Sequence, residues 1–215
     1  MYRREYTSDW DFRDSNTKEY THCYHNYPAM MIPQIARRLI CDFAPEGSVS
    51  MILDPYMGSG TTLVEAAIKG IDSVGIDVNP LARFIAEVKT TKFNINEVEE
   101  SFNYILRKID SFDISAWKYV ETDFKHITKH DYWYSKENLI KLKYLSSVID
   151  SMEFAATKSF FNLALAETIR DVSFTRNGEF KRYRIEANKI PTYNPNPFVL
   201  IADKIKRNLD GLNNF

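Results

Sequence analysis

Cysteine is nearly absent: Cys23 and Cys41, 18 residues apart, are the whole complement of a 215-residue chain. Two thiols at that spacing make neither a zinc knuckle, which needs paired ligands, nor a disulfide framework, and they suit a reducing compartment. Long hydrophobic runs are lacking too; none approaches the roughly 20 apolar residues that span a bilayer, and mean hydropathy is -0.38. No charge dominates, since 28 Lys and Arg face 29 Asp and Glu for a formal net charge of -1. A polyanion or an anionic surface would therefore be met only by a local patch. The first 20 residues carry four basic and five acidic side chains and no apolar stretch of the secretion-signal kind, so the expected location is cytoplasmic. Repeats and low-complexity tracts are missing. What is present, 44% hydrophobic and 27% charged residues, supplies a core for an ordinary soluble fold and excludes a disordered or fibrous chain.

Periodicity organises the first 90 residues. Residues 28–43 place apolar side chains on one helix face, with Pro33 near its start. Val49 to Leu53 is short, apolar and bounded by turn residues, as a buried parallel strand should be, and Asp54 stands at its carboxyl end. Thr61 to Lys69 reads as helix, closed by Gly70 where a left-handed residue is needed. Ser73 to Ile76 is a second strand ending at Asp77, and Asn79-Pro80 caps and starts a helix running to about Thr90. Strand, helix, strand, helix calls for a parallel sheet, with ligands at the carboxyl ends of its strands. Beyond residue 94 the texture is helical: Glu97 to Ile109, Lys136 to Ser151 and Phe154 to Val172, with Ile185 and Phe198 to Ile201 the only plausible late strands. Residues 1–95 are read as the ligand-binding α/β part, and 96–215 as a mainly helical continuation bearing partner or DNA contacts.

The stretch Asp54-Pro55-Tyr56-Met57-Gly58-Ser59-Gly60-Thr61-Thr62 lies between a strand and a helix. Glycines permit close ligand approach, and the helix behind them aims its free N–H groups at the loop. A triphosphate loop would read GxxxxGK[ST], but no lysine follows Gly60; a dinucleotide loop would have a third glycine where Leu63 stands. Asp77 closes the second strand 17 residues after Gly60, the separation at which a carboxylate reaches ribose hydroxyls.

The loop DPYMGSGTT, the LVEAA helix and the SVGIDVNPLA strand-turn-helix resemble the S-adenosylmethionine-binding region of DNA amino-methyltransferases, which make N4-methylcytosine or N6-methyladenine. Upstream, HNYPAMMIPQIARRLI resembles that family's amino-terminal cofactor segment in its permuted branch. The resemblance implies an α/β, Rossmann-like methyltransferase fold with an added helical segment, and S-adenosylmethionine as cofactor. It implies that Asp54, Pro55, Tyr56, Met57, Gly58, Ser59, Gly60, Thr61 and Thr62 hold the methionine moiety and Asp77 the ribose. Val78, Asn79 and Pro80 would meet the adenine edge, and Tyr27, Pro28 and Ala29 would line the methionine side of the pocket.

One departure matters. The family's catalytic tetrapeptide, [Asp, Asn or Ser]-Pro-Pro-[Tyr, Phe or Trp], grips and stacks a flipped base, yet all eight prolines here, at 28, 33, 45, 55, 80, 191, 195 and 197, are isolated. Asn194-Pro195-Asn196-Pro197-Phe198 is the nearest imitation and reads better as a turn opening the last helix. With late strands scarce as well, the fold is expected to be incomplete without a partner chain that brings the catalytic loop. No catalytic residue is then assigned to this chain. Double-stranded DNA is the expected substrate, in a restriction-modification setting, with no membrane partner and no metal. An RNA base methyltransferase component and an inert S-adenosylmethionine-binding subunit are the alternatives. Arg176, Lys181, Arg182 and Arg184 stand against one acidic residue, Glu179, with aromatics between them, which suits phosphate contacts. Tyr132-Trp133-Tyr134 reads mainly as core, with base stacking as the second use.

Overall fold

The computed structural model describes residues 10–28, 30–120, 124–176, 181 and 183–215. Ala29 and Arg182, both named above as site residues, lie outside the described set. The chain divides into two compact units, one of residues 1–23, 27–91 and 214–215, the other of 24–26 and 92–213.

The first unit is built from α1 (Pro33–Phe43), β1 (Met51–Asp54), α2 (Thr61–Ile68), β2 (Asp72–Gly75) and α3 (Pro80–Thr90), preceded by a 3₁₀ turn at Tyr20–Cys23. Pro33 and Pro80 open their helices, where a missing N–H costs nothing. Asn79 caps α3 by accepting from the Leu81 N–H at 3.0 Å. Gly70, at φ +68°, ends α2 with paired bonds from Gly70 N to Ala67 O and Ile71 N to Ala66 O, both 3.0 Å. These are the two bonds of a Schellman motif. Strands β1 and β2 pair in parallel, Met51 beside Asp72 and Asp54 beside Gly75. Helix α2 packs on both strands and is flanked by α1 and α3, burying Val64, Ala66, Ala36, Ile40, Ile85 and Val88. The alternation places Met51, Leu53, Val74 and Ile76 toward the other face, where all four are exposed.

The second unit contains α4 (Ile95–Asp110), α5 (His130–Trp133), α6 (Lys136–Asp150), α7 (Ala155–Asp171) and α8 (Pro197–Asn213). Its core runs through Phe102, Leu145, Phe160, Phe161, Ile201 and Ile205, with Tyr24 edge-on to Phe160 at 5.5 Å between centroids. Glu167, almost fully buried, accepts from Arg207 at 2.7 Å and the Asn26 N–H at 3.2 Å and pairs with Lys204 at 3.3 Å. That carboxylate fastens the 24–26 segment to α7 and α8.

Two late readings are corrected. Phe198 to Ile201 is helix, not strand: the Asn196 side chain accepts from Phe198 N at 3.1 Å, Pro197 takes the first helical position, and Ile201, Ile205 and Leu209 continue inward at helical spacing. A four-residue apolar run carries no period of its own, so the cap decided the matter. Ile185 belongs to no named strand; it follows an isolated antiparallel bridge between Thr175 and Arg184. The sheet of the described residues thus has two strands. Among those residues, no helix is long and apolar enough to cross a membrane, and neither cysteine forms a disulfide.

Candidate functional site

The loop that joins β1 to α2 is held by the end of β2. Ile76 N donates to Asp54 O at 2.9 Å and Met57 N to Ile76 O at 3.1 Å, which extends the parallel pairing past the strand ends. Asp77 then serves both sides. One carboxylate oxygen accepts from Gly58 N at 3.0 Å and the other from Asn79 N at 2.8 Å. An ionised carboxylate offers about four lone-pair sites, so two backbone bonds leave acceptor capacity for a ligand's hydroxyls. Asp54 turns its own side chain onto the Tyr56 N–H at 3.1 Å.

Gly58 and Gly60 both have positive φ, +51° and +78°. At Gly60 a Cβ would stand 2.7 Å from the Ala86 Cβ, so α3 approaches the loop closely there. Gly75 was missed by the sequence reading: a Cβ on it would meet Met57 Sδ at 2.2 Å and Leu63 Cδ2 at 2.8 Å. Its signal, a glycine inside a strand, marks close approach of a neighbour. Tyr56 and Val78 are 90% and 98% exposed at the rim, whereas Ser59 and Thr61 are buried. Pro55 and Thr62 flank the loop within the same turn and helix start.

A cavity of about 130 Å³ borders Thr61 and is lined also by Thr17, His22, Met30, Met31, Ile32 and Pro33. Of the expected methionine-side residues, Tyr27 accepts at its hydroxyl from Asn79 Nδ2 at 2.9 Å, which ties the upstream segment to the cap of α3; Pro28 is exposed. A larger cavity of about 700 Å³, lined by Cys41, Val49 and Gly70 among others, lies where the chain enters the strands, away from the loop.

Behind the loop sits a buried ionic group that sequence reasoning passed over. Glu65 of α2 is 0% exposed and accepts from Arg37 Nε at 2.8 Å, Arg37 Nη2 at 3.0 Å and His22 Nε2 at 3.0 Å. Arg37 also reaches Glu19 at 2.9 Å. Burial pushes the His22 pKa below its ordinary value against the pull of Glu65, so His22 is neutral near pH 7 and donates from Nε2. For Glu65, burial opposes ionisation, but the bonds from His22 and Arg37 outweigh it and hold the carboxyl below its ordinary pKa. One charged residue inside the apolar TTLVEAAI helix was the available signal.

In the second unit, residues 174–176 and 183–185 run antiparallel, with Arg176 N donating to Tyr183 O at 2.8 Å and Ile185 N to Phe174 O at 2.9 Å. Arg176 and Lys181 are exposed. Arg184 is not: its guanidinium lies 4.0 Å from the Tyr132 ring centroid, so the structure joins two features that the sequence reading kept apart. Among the described residues no His, Cys, Asp and Glu group has a metal-site arrangement. The expected imitation of the catalytic loop is spoken for, because Phe198 is buried 4.9 Å from Phe112 and 6.1 Å from Tyr144.

Together β1, α2, β2 and α3 make a small parallel α/β unit with a glycine loop and a carboxylate at its strand ends, the place where such sheets take ligands. Residues 2–88 match the model of the DNA methylase family of N6 and N4 methyltransferases. The chain is 36% identical over 202 residues to the type II methyltransferase M.MvaI of Kocuria varians, covering 92% of this chain and 44% of that protein. M.MjaII of Methanocaldococcus jannaschii is 35% identical over 109 residues, 48% of this chain and 20% of that one. M.BsoBI of Geobacillus stearothermophilus is 26% identical over 200 residues, 91% and 38% respectively; both are likewise type II methyltransferases. The chain therefore spans less than half the length of these relatives. No solved structure matches the chain at a significant level.

The Glu65 cluster yields a prediction. Glu65→Ala leaves Arg37 and His22 without their shared acceptor and should cost about 3 kcal/mol in urea unfolding, the scale of breaking a buried pair. The folded pKa values of both Glu65 and His22 are depressed, so the unfolded chain binds more protons as pH falls. Wild-type stability should decline on acidification below about 6.5, the ordinary histidine value. Glu65→Ala removes only the carboxylate's share and leaves His22 without the pull that opposes burial, so its decline should persist below 6.5 and be shallower only below about 4.5, the ordinary glutamate value.

Proposed function

We propose that this chain is the cofactor-binding part of a DNA methyltransferase that transfers a methyl group from S-adenosylmethionine to N4 of cytosine or N6 of adenine. The observation that carries the reading is the glycine loop between β1 and α2 with Asp77 clamped beside it by the Gly58 and Asn79 N–H groups. The relatives, all type II methyltransferases, support the reaction class.

The residues fit the donor. Ser59 Oγ is buried without a partner, the cavity at Thr61 is bounded by Met30 to Pro33, and Asp77 retains acceptor capacity. On this reading Asp54 and Pro55 to Thr62 cradle the methionine moiety, with Tyr27, Pro28 and Ala29 on its other side. Asp77 takes the ribose hydroxyls, and Val78, Asn79 and Pro80 flank the adenine. Bound S-adenosylmethionine supplies an electrophilic methyl on a sulfonium. The chain's residues bind and orient it for in-line attack by the amino nitrogen, which is catalysis chiefly by positioning.

Residues 1–95 would form the donor-binding part, and residues 96–215 would contribute partner and DNA contacts. The 215 residues hold no Pro-Pro, and Met51, Leu53, Val74 and Ile76 expose one face of a two-stranded parallel sheet. Parallel sheets are ordinarily covered on both faces. The catalytic tetrapeptide and the missing strands are accordingly supplied from outside these residues, on our reading by a second subunit. Arg176, Lys181 and Arg182 would meet DNA phosphates, while Arg184 would act as a stacked pair with Tyr132.

Three outcomes are expected. Incubated alone with unmethylated DNA and methyl-labelled S-adenosylmethionine, the folded chain should transfer no label, and co-expression with the second subunit should restore transfer; label from the chain alone would refute the split. Asp77→Ala should weaken S-adenosylmethionine binding by about 2 kcal/mol in calorimetry, the scale of lost bonds to a charged acceptor, and unchanged affinity would remove Asp77 from the site. Reversing Lys181 and Arg182 to Glu should weaken DNA binding by the assembled enzyme and lower its salt dependence, by about one unit of slope per lost contact. Donor affinity should be unaffected; loss of both would indicate misfolding.

A further inference from the structure

Lys89, near the carboxyl end of α3, is 0% exposed and enters no ion pair with the described residues. Its Nζ donates to the backbone carbonyl of Ser59, at the middle of the glycine loop, at 3.3 Å. Lysine is almost never fully buried unless paired, and an ammonium has three N–H groups to satisfy. One turn earlier on the same helix, Ala86 presses its Cβ against Gly60. Helix α3 thus holds two successive loop residues from behind, one by contact and one by charge.

We propose that Lys89 is a positioning residue for the methyl donor, its ammonium fixing the Ser59 carbonyl inward and so setting the backbone course of Gly58 to Gly60 against which the donor lies. The inference rests on the placement of the donor at this loop under the proposed function. Lys89 touches no reacting atom; it acts through Ser59. A bond from a charged donor is roughly twice as strong as one from a neutral donor, so the loop is held best while Lys89 keeps its proton.

The surroundings give that proton a particular sensitivity. Burial, and after it the charge of Lys18, lower the Lys89 pKa to about 8, with Cys23 opposing. Lys18, His22 and Cys23 face it from the amino-terminal segment; His22 is neutral and bonded to Glu65 of α2, whose charge is matched by Arg37 of α1. Arg83 and Glu87 of α3 point to solvent. Because the unfolded lysine titrates near 10.5 and the folded one near 8, the unfolded chain binds more protons between those values. Stability of the donor-free chain therefore rises as pH is raised through that window. Donor affinity should move the opposite way, falling as the ammonium is lost. A lysine that only filled space would not couple the two with opposite signs.

The test uses the full chain and deaminated S-adenosylhomocysteine, a probe that keeps the donor's adenosine, sulfur and carboxylate-bearing chain and has no group that titrates between pH 7 and 9.5. Calorimetry should show binding about fivefold weaker at pH 9.5 than at pH 7, the size of one ordinary hydrogen bond. Lys89→Met should bind weakly and equally at both pH values, and Cys23→Ser should keep the wild-type fall. A flat wild-type profile overturns the inference, and so does a fall that persists in Lys89→Met. Should Lys89→Met fail to fold, the wild-type and Cys23→Ser profiles decide alone. Absence of binding at both pH values, in folded protein, would instead refute the placement of the donor on this loop.

Discussion

A carboxylate with no exposed surface anchors the amino-terminal half of the chain. Glu65 accepts three hydrogen bonds from two side chains, one on α1 and one on the 3₁₀ turn before it. Burying an ion is expensive unless its lone pairs are filled, and here the filling groups lie 43 and 28 residues away in sequence. The upstream segment therefore docks in one register on α2, and it brings Met30 to Pro33 to the cavity beside Thr61. Were the segment to slip, Glu65 would be left charged and alone. Specificity of this kind is a known use of buried polar groups, and here it sets where a loop and its flanking pocket meet.

Legibility followed locality. The strand, glycine loop, helix and second strand were readable from residue order, since Gly58, Gly60, Gly70, Asp77 and the Asn79-Pro80 cap act on neighbours in the chain or at an expected separation. Strand bounds shifted by one or two residues, to Met51–Asp54 and Asp72–Gly75. What stayed hidden depends on contacts between distant segments. Nothing adjacent to His22 in the sequence accounts for its burial, because its partner is Glu65, 43 residues away. Gly75 carried a local signal, a glycine inside a strand, but its cause, Met57 and Leu63 packed against it, lies in other segments. Phe198 to Ile201 looked like strand because four apolar residues carry too little period to outvote a cap that acts from Asn196.

The exposed sheet face follows from the same arithmetic of contacts. Helix α2 covers one face of β1 and β2, and α1 and α3 flank it. Leu53 at 61% and Met51 at 56% exposure are large apolar side chains on a strand pair too narrow to be independently stable. A contiguous apolar patch on such an element marks an interaction site. The glycine loop itself needs no such cover, because its bonds run to Asp77, Ile76 and Met57 within the unit. Under the proposed function, donor binding and covering of the sheet face would be separable demands on the sequence, the first met by local backbone bonds and the second by strands from outside these residues.

Two buried charges behind one loop are handled in opposite ways, and the difference assigns them different work. Glu65 is matched by Arg37, so changing conditions within the neutral range leaves it ionised and the segment docked. Lys89 has a carbonyl for a partner, and a carbonyl carries only a partial charge. Desolvation therefore goes largely unanswered there, and the proton is held loosely. A residue under pressure only to stabilise would be better replaced by an apolar one of similar volume, since such exchanges of buried ions are often neutral or favourable. Retaining an ammonium at that position makes physical sense where the acceptor it holds must be held, and that acceptor is the Ser59 carbonyl between the two glycines of the loop.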